Sequence, residues 1–297
     1  MDRHAPQPPV EQVGMRTRSR AAVLGHPISH SLSPTLHRAA YAALGLTDWR
    51  YDAVDVTSDG LAAFVTTLDE TWAGLSLTMP LKQTVLGLLD HVEPLAEVVG
   101  AVNTVLLQGS GAGRVLVGAN TDVYGLVTAL GEGLPGGASA RVGTAAVLGA
   151  GATAASTLAA LGQLGCATPV VYVRSVQRAG GLLRAAHRMG VQPVLRSLDD
   201  AAGQVGRADV VVSTLPPHAA DDLAAALPPA RPAGVLLDVA YDPRPTALSA
   251  AWAARDGVVV GGERMLLHQA VEQVRLMTGR PGPVDAMAAA LEARLVA

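Results

Sequence analysis

From Val142 to Val173 the chain runs for 32 residues without a charged side chain. Such a run is long enough to cross a bilayer, but its composition points elsewhere. It contains Gly143, Gly149, Gly151, Gly162, Gly165 and Pro169, and its β-branched residues cluster at its two ends. An apolar segment that is β-rich at its ends and broken by glycine fits a buried strand–turn–helix–strand unit. The turn reads Gly149-Ala150-Gly151-Ala152, and Ala154 completes a G-x-G-x-x-A pattern. In that setting the first glycine permits a tight turn. The second lets the backbone approach a pyrophosphate, which then rests on the helix N-terminus.

The alternation continues on both sides of this unit. Strands are expected at 142–148, 169–173, 191–194, 208–213, 234–240 and 257–260, with helices between them, which is the pattern of a doubly wound parallel sheet. After the strand ending at Val173 come Arg174 and Arg178. NAD-selective sites usually place a carboxylate there, against the ribose 2′-hydroxyl. Two guanidinium groups suit a 2′-phosphate instead, so NADP(H) is the expected cofactor; the plainer reading is solvated surface charge. In the first half, strands are expected at 21–25, 49–56 and 73–78, and helices at 34–44, 58–69 and 81–89. Segments 101–107 and 114–120 read as a hairpin, 121–130 as a helix and 131–140 as a linker. Helices at 263–279 and 283–296 close the chain. The expected fold class is α/β in two domains. Residues 20–121 plus 263–297 would form a substrate domain, and 122–262 a Rossmann-type nucleotide domain. Residues 1–19 lack the apolar stretch of a signal peptide and read as a disordered leader.

Composition excludes several functions. A net charge of −3 and 3% aromatic residues leave neither a basic footprint nor a stacking platform for nucleic acid. Cys166 is the only cysteine, so no internal disulfide and no cysteine-based zinc site can form. His26, His30 and His37 are not spaced to put three imidazoles on one helix face, and no acidic residue joins them, so no metal is expected.

Chemistry-bearing residues cluster in the first half. Ser33-Pro34 reads as an N-cap followed by a first helical residue, and with Ser31 it makes a seat for a carboxylate. Asn103, Asn120, Thr121 and Asp122 end the two arms of the hairpin. Such residues are commonly turn formers, yet together they place amides and a carboxylate at one edge. Lys82 is the sole lysine among 22 lysine and arginine residues. Lysine can release its proton in a protein where arginine cannot, and proton transfer to a hydroxyl needs a group that both donates and accepts. The plain alternative is a chance survivor of arginine bias. The position of Lys82, after a strand end and Met79-Pro80, favours function.

Taken in order, "SHSLSP", "SLTMPLK", "AVNT", "NTD", "GAGATA", "DVAYDPRPT" and "GGERMLLHQ" resemble the shikimate dehydrogenase family, NADP-dependent enzymes that interconvert 3-dehydroshikimate and shikimate. The resemblance runs from about residue 20 to the C-terminus. It implies that Ser31 and Ser33, helped by Tyr241, hold the substrate carboxylate, and that Thr78, Asn103 and Gln269 bind ring hydroxyls. It further implies that Lys82 and Asp122 form the catalytic pair. Gly149, Ala150, Gly151 and Ala152 would lie under the pyrophosphate, and Arg174 and Arg178 would take the 2′-phosphate. Ser213, Thr214 and Gly262 would line the nicotinamide side, with Met265 against the ring. The chain departs from the family pattern at Ser76, where an asparagine is usual, and at Glu263-Arg264, which is more charged than usual. The resemblance also implies a cytoplasmic monomer or homodimer acting on a small molecule in aromatic amino acid biosynthesis, without a membrane. Quinate or aminoshikimate dehydrogenases share the scaffold. A non-catalytic nucleotide or metabolite sensor is the other alternative, against which the intact Lys82, Asp122 and Gln269 set argues.

Overall fold

Short strands set the frame of the first half of the chain. The computed structural model describes residues 19–109 and 111–296; apart from Ser19, the expected leader lies outside them. β1 (Arg20–Gly25), β2 (Arg50–Asp55) and β3 (Trp72–Leu77) are joined through α1 (Ser33–Ala43) and α2 (Leu61–Thr66). α3 (Leu81–Thr84), β4 (His91–Val92) and α4 (Pro94–Val99) lead to the hairpin of β5 (Thr104–Gln108) and β6 (Val115–Ala119). These strands form one six-stranded sheet in the order β2-β1-β3-β5-β6-β4. β1 pairs in parallel with β2 and β3, whereas β5 pairs antiparallel with β3 and β6. β3 is buried along its whole length, as a central strand covered on both faces requires.

α5 (Asp122–Gly133) connects this sheet to the second, which starts with the uncharged run. β7 (Ala145–Leu148), α6 (Ala152–Gln163) and β8 (Val170–Val173) form the expected unit, followed by α7 (Gly180–Arg188), β9 (Val194–Ser197) and β10 (Val210–Ser213). α8 (Asp221–Ala226), β11 (Val235–Asp238), α9 (Ala247–Ala253) and β12 (Val258–Gly261) complete the sheet. All pairings are parallel, in the order β12-β11-β10-β7-β8-β9. The direction of winding reverses between β7 and β10, and a crevice opens there beyond the strand C-termini. α10 (Gly262–Thr278) and α11 (Val284–Val296) then return to the first sheet, where Leu267, Val274, Met277 and Leu291 share a core with Leu36 and Tyr41 of α1.

Several boundaries differ from expectation. The linker expected at 131–140 is partly helix, because α5 runs on to Gly133. Two of its glycines serve close packing: a Cβ on Gly131 would meet the Ala138 nitrogen at 2.5 Å, and one on Gly133 would meet Val235 at 2.8 Å. The strand expected at 191–194 begins instead at Val194, after Pro193, which has no N–H for the ladder. The helix expected at 81–89 is a short α-helix followed by a 3₁₀ turn, Val85–Leu88. β4 and α4 were not expected. β4 is too short for a period-2 signal, but α4 carries readable punctuation: Pro94 at its start and Gly100 at φ 72° after its end.

His37 of α1 is fully buried behind the first sheet, stacked on Tyr51 with ring centroids 3.8 Å apart. Its Nδ1 lies 3.0 Å from the Ser33 carbonyl, which only accepts, so Nδ1 carries the proton. Burial pushes its pKa down from 6.5 to about 4, against a smaller upward pull from that hydrogen bond. The folded chain therefore holds His37 neutral where the unfolded chain protonates it. Stability from this group is complete above pH 6.5 and is lost as pH falls towards 4, by roughly 3 kcal/mol. Urea unfolding measured from about pH 7 to pH 4 should show that decline. His37→Phe, which keeps a ring on Tyr51, should flatten it; an unchanged slope would contradict the assignment.

Candidate active site

Lys82 and Asp122 reach each other across a turn and a strand end. Lys82 lies in α3, where its carbonyl accepts from the Val102 N–H at 2.8 Å, tying the helix to the entry of the hairpin. Asp122 is the first residue of α5, where the helix dipole favours a carboxylate. Lys82 Nζ donates to Asp122 Oδ2 at 2.5 Å, with side-chain exposures of 14% and 3%. A buried ammonium needs such a partner. Asp122 Oδ1 accepts from Asn103 Nδ2 at 2.8 Å, so both carboxylate oxygens are held.

The amides around this pair have distinct tasks. Asn103 is buried; its Oδ1 accepts from the Thr121 N–H at 2.8 Å, and its Nδ2 also donates to Thr121 Oγ1 at 2.9 Å. It stands behind Asp122, off the cavity wall, where it orients the carboxylate. Asn120 Oδ1 accepts from the Val123 N–H of α5, while its Nδ2 donates to the Ala101 carbonyl and to Ser156 of α6. It thereby pins the hairpin to both helices.

A cavity of about 310 Å³ opens in front of the pair. Ser31, Ser33, Thr78, Lys82, Asp122, Tyr241, Gly262, Met265 and Gln269 all line it, and so do Ser76, Gln273 and Thr153 of α6. The serines differ from expectation. Leu32 holds the cap position of α1 and Ser33 is its first residue, with no side-chain cap. Instead, Ser31 Oγ accepts from the Ser33 N–H at 3.4 Å; a hydroxyl two residues ahead forms this local turn readily. Tyr241 keeps its phenolic proton, because burial and the nearby Asp242 both push its pKa up. Glu263 and Arg264 are both engaged in ion pairs: Glu263 pairs with Arg244 at 3.1 Å, and Arg264 with Glu132 of α5 at 2.6 and 2.7 Å.

The glycine turn lies at the switch point of the second sheet. Gly149 has φ 110°, and a Cβ there would meet Thr214 Oγ1 at 2.5 Å. That hydroxyl donates to the Leu148 carbonyl at 2.9 Å. Gly151 has an ordinary φ of −83°, and a Cβ there would meet no protein atom within 4 Å. The protein itself thus has no packing need for glycine at 151; the empty space suits an approaching phosphate. Ala150 and Ala152 flank it, α6 starts without a side-chain cap, and Ala154 is fully buried. Ser213 ends β10, in register with Leu148 of β7 and Asp238 of β11. Arg174 and Arg178 stand exposed past the end of β8, with no side-chain hydrogen bond or ion pair among the described residues. The residues present therefore fit a dinucleotide carrying an extra phosphate.

Gln273 was not singled out in the sequence. It lies one helical turn beyond Gln269 on the same face of α10, a spacing that could have found it.

The fold and site define a two-sheet α/β protein with a glycine turn at the switch point of the second sheet and a cleft that holds the Lys82–Asp122 pair. Residues 23–105 match the shikimate dehydrogenase substrate binding domain, and residues 262–292 the shikimate 5′-dehydrogenase C-terminal domain. The shikimate dehydrogenase (NADP(+)) of Rubrobacter xylanophilus is 37% identical over 92% of this chain and 95% of its own length. The crystal structure of Mycobacterium tuberculosis shikimate dehydrogenase is 39% identical, covers 93% of this chain and 99% of its own, and superposes with a TM-score of 0.81. The Thermus thermophilus enzyme, solved in complex with NADP(H) and shikimate, is 34% identical with a TM-score of 0.77 and covers 93% and 99%. The chain belongs to the shikimate dehydrogenase family.

The two turn glycines should respond differently to substitution. Gly149→Ala should destabilise the fold by about 2 kcal/mol through backbone strain and displacement of Thr214, and Gly151→Ala by less than about 0.5 kcal/mol. Urea unfolding of both variants checks this; equal losses would contradict the reading of the turn.

Proposed function

We propose that the chain is an NADP-dependent shikimate dehydrogenase that reversibly reduces 3-dehydroshikimate to shikimate. The observation that carries this reading is the buried Lys82–Asp122 pair on the wall of a polar cavity that reaches α6 at Thr153. Residues 20–121 and 263–297 form the substrate half in this reading, and residues 122–262 the nucleotide half.

NADPH supplies the hydride when bound. Gly149, Ala150, Gly151 and Ala152 hold its pyrophosphate, and Arg174 and Arg178 its 2′-phosphate. Ser213, Thr214, Gly262 and Met265 border the nicotinamide. Ser31, Ser33 and Tyr241 supply hydroxyl donors to the substrate carboxylate. Thr78 and Gln269 meet ring hydroxyls, while Asn103 acts through Asp122. Lys82 Nζ gives a proton to the oxygen of the carbonyl being reduced and takes one back in oxidation. Asp122 holds the ammonium in place and balances its charge. Closing the cleft removes water from this exchange.

Two measurements test the reading. Turnover of shikimate and quinate with NADP⁺ and NAD⁺ gives a kcat/KM for each pairing, of which shikimate with NADP⁺ should be the highest. A higher value for quinate with NAD⁺ would contradict it. Arg174→Ala and Arg178→Ala should each raise KM for NADP⁺ by about tenfold or more, as loss of a charge-assisted bond does, while KM for NAD⁺ stays near the parent value.

A further inference from the structure

The wall of the cavity between β3 and α10 holds a hydrogen-bonded group with no part in the chemistry described above. Residues 74 and 76 of β3 share one face, and that face meets α10: a Cβ on Gly74 would collide with Met277. Ser76 thus faces Gln273, and both line the cavity.

The donors and acceptors in this group can be assigned without ambiguity. Gln273 places one end of its carboxamide 3.2 Å from the Asn103 backbone carbonyl and 3.0 Å from Thr104 Oγ1. A carbonyl only accepts, so that end must be the NH₂. Its oxygen then faces Ser76, 2.8 Å away, and Ser76 must donate to it. The Tyr51 hydroxyl, 2.6 Å from Ser76 Oγ on the other side, must therefore donate to Ser76. The single proton of Ser76 is committed, and one lone pair remains for the cavity.

We infer that Gln273 sets specificity at this corner by fixing the direction of the Ser76 hydroxyl, so that Ser76 accepts a hydrogen bond from a ligand hydroxyl and donates none. Gln273 is a positioning residue: it acts on the ligand through Ser76. The inference rests on the proposed shikimate activity and names the part of the cavity that senses whether a ring substituent carries a proton. A hydroxyl satisfies that lone pair. A substituent that only accepts leaves two acceptors facing each other, which costs binding.

The test uses the full chain and begins with turnover of shikimate with NADP⁺; failure there removes the proposed activity and is distinct from failure of this inference. Next, kcat/KM for shikimate is compared with that for analogues carrying fluorine in place of each non-reacting ring hydroxyl in turn. Fluorine cannot donate. At one of the two positions the parent enzyme should lose about tenfold, the size of a lost neutral hydrogen bond. In Gln273→Met, Ser76 is free to turn its proton to the cavity, and the ratio at that position should shrink to about twofold, with the other position unchanged. A purely structural role for Gln273 would lower turnover of shikimate and analogue alike and leave both ratios intact, which would overturn the inference. Should Gln273→Met fail to fold, Ser76→Ala carries the test: it removes the acceptor, and an unchanged ratio at both positions would overturn the inference equally.

Discussion

A buried ammonium must find a carboxylate, and the way this fold meets that demand organises the rest of the site. Lys82 is mostly buried and Asp122 almost wholly so. An unmatched charge at that depth costs several kcal/mol, and the pair is held from both sides. Asp122 starts a helix whose dipole favours it, and Asn103 holds its second oxygen. Hydrogen bonds then run outward from Asn103 through Thr104 and Gln273 to Ser76 and Tyr51. Each member fixes the orientation of the next. Lys82 and the far wall of the cavity thus belong to one polar layer inside an apolar core.

That layer sits where the two sheets meet. α5 leaves the first sheet at Asp122 and continues along the second. α10 starts at the second sheet and returns to the first, carrying Gln269 and Gln273. The two helices pack closely: a Cβ on Gly125 would meet Gln269 at 2.9 Å. Glu132 adds a polar clasp, bonding Arg264 through two hydrogen bonds and His268 at 2.6 Å. The angle between the sheets therefore bears directly on the position of Asp122 relative to the glycine turn, which suits a reaction needing two ligands in close register.

Much of this was legible in the sequence where a local rule was strong. The uncharged run with its spaced glycines pointed to the second sheet, because few other structures accommodate 32 uncharged residues broken in that way. The hairpin was legible from two β-rich segments around a glycine-rich loop. Lys82 stood out by composition, and Asp122 by its place after the hairpin. What escaped notice depends on contacts distant in sequence. Asn103 orients Asp122 instead of facing the cavity, a matter of burial that no spacing reports. Gln273 looks like any polar helical residue until it is found opposite Ser76, 197 positions away. Ser33 yielded the cap position because Ser31 already serves the first free N–H of the helix.

The central claim is that Lys82 transfers a proton, which requires more than positive charge. Lys82→Arg keeps the charge and the pairing with Asp122 but cannot exchange a proton near neutral pH. Steady-state kinetics of shikimate oxidation by this variant test the claim most directly. The account predicts that kcat falls at least about 100-fold, the usual contribution of a positioned acid–base group, while KM for shikimate changes by less than about threefold. Near-normal kcat in Lys82→Arg would contradict it.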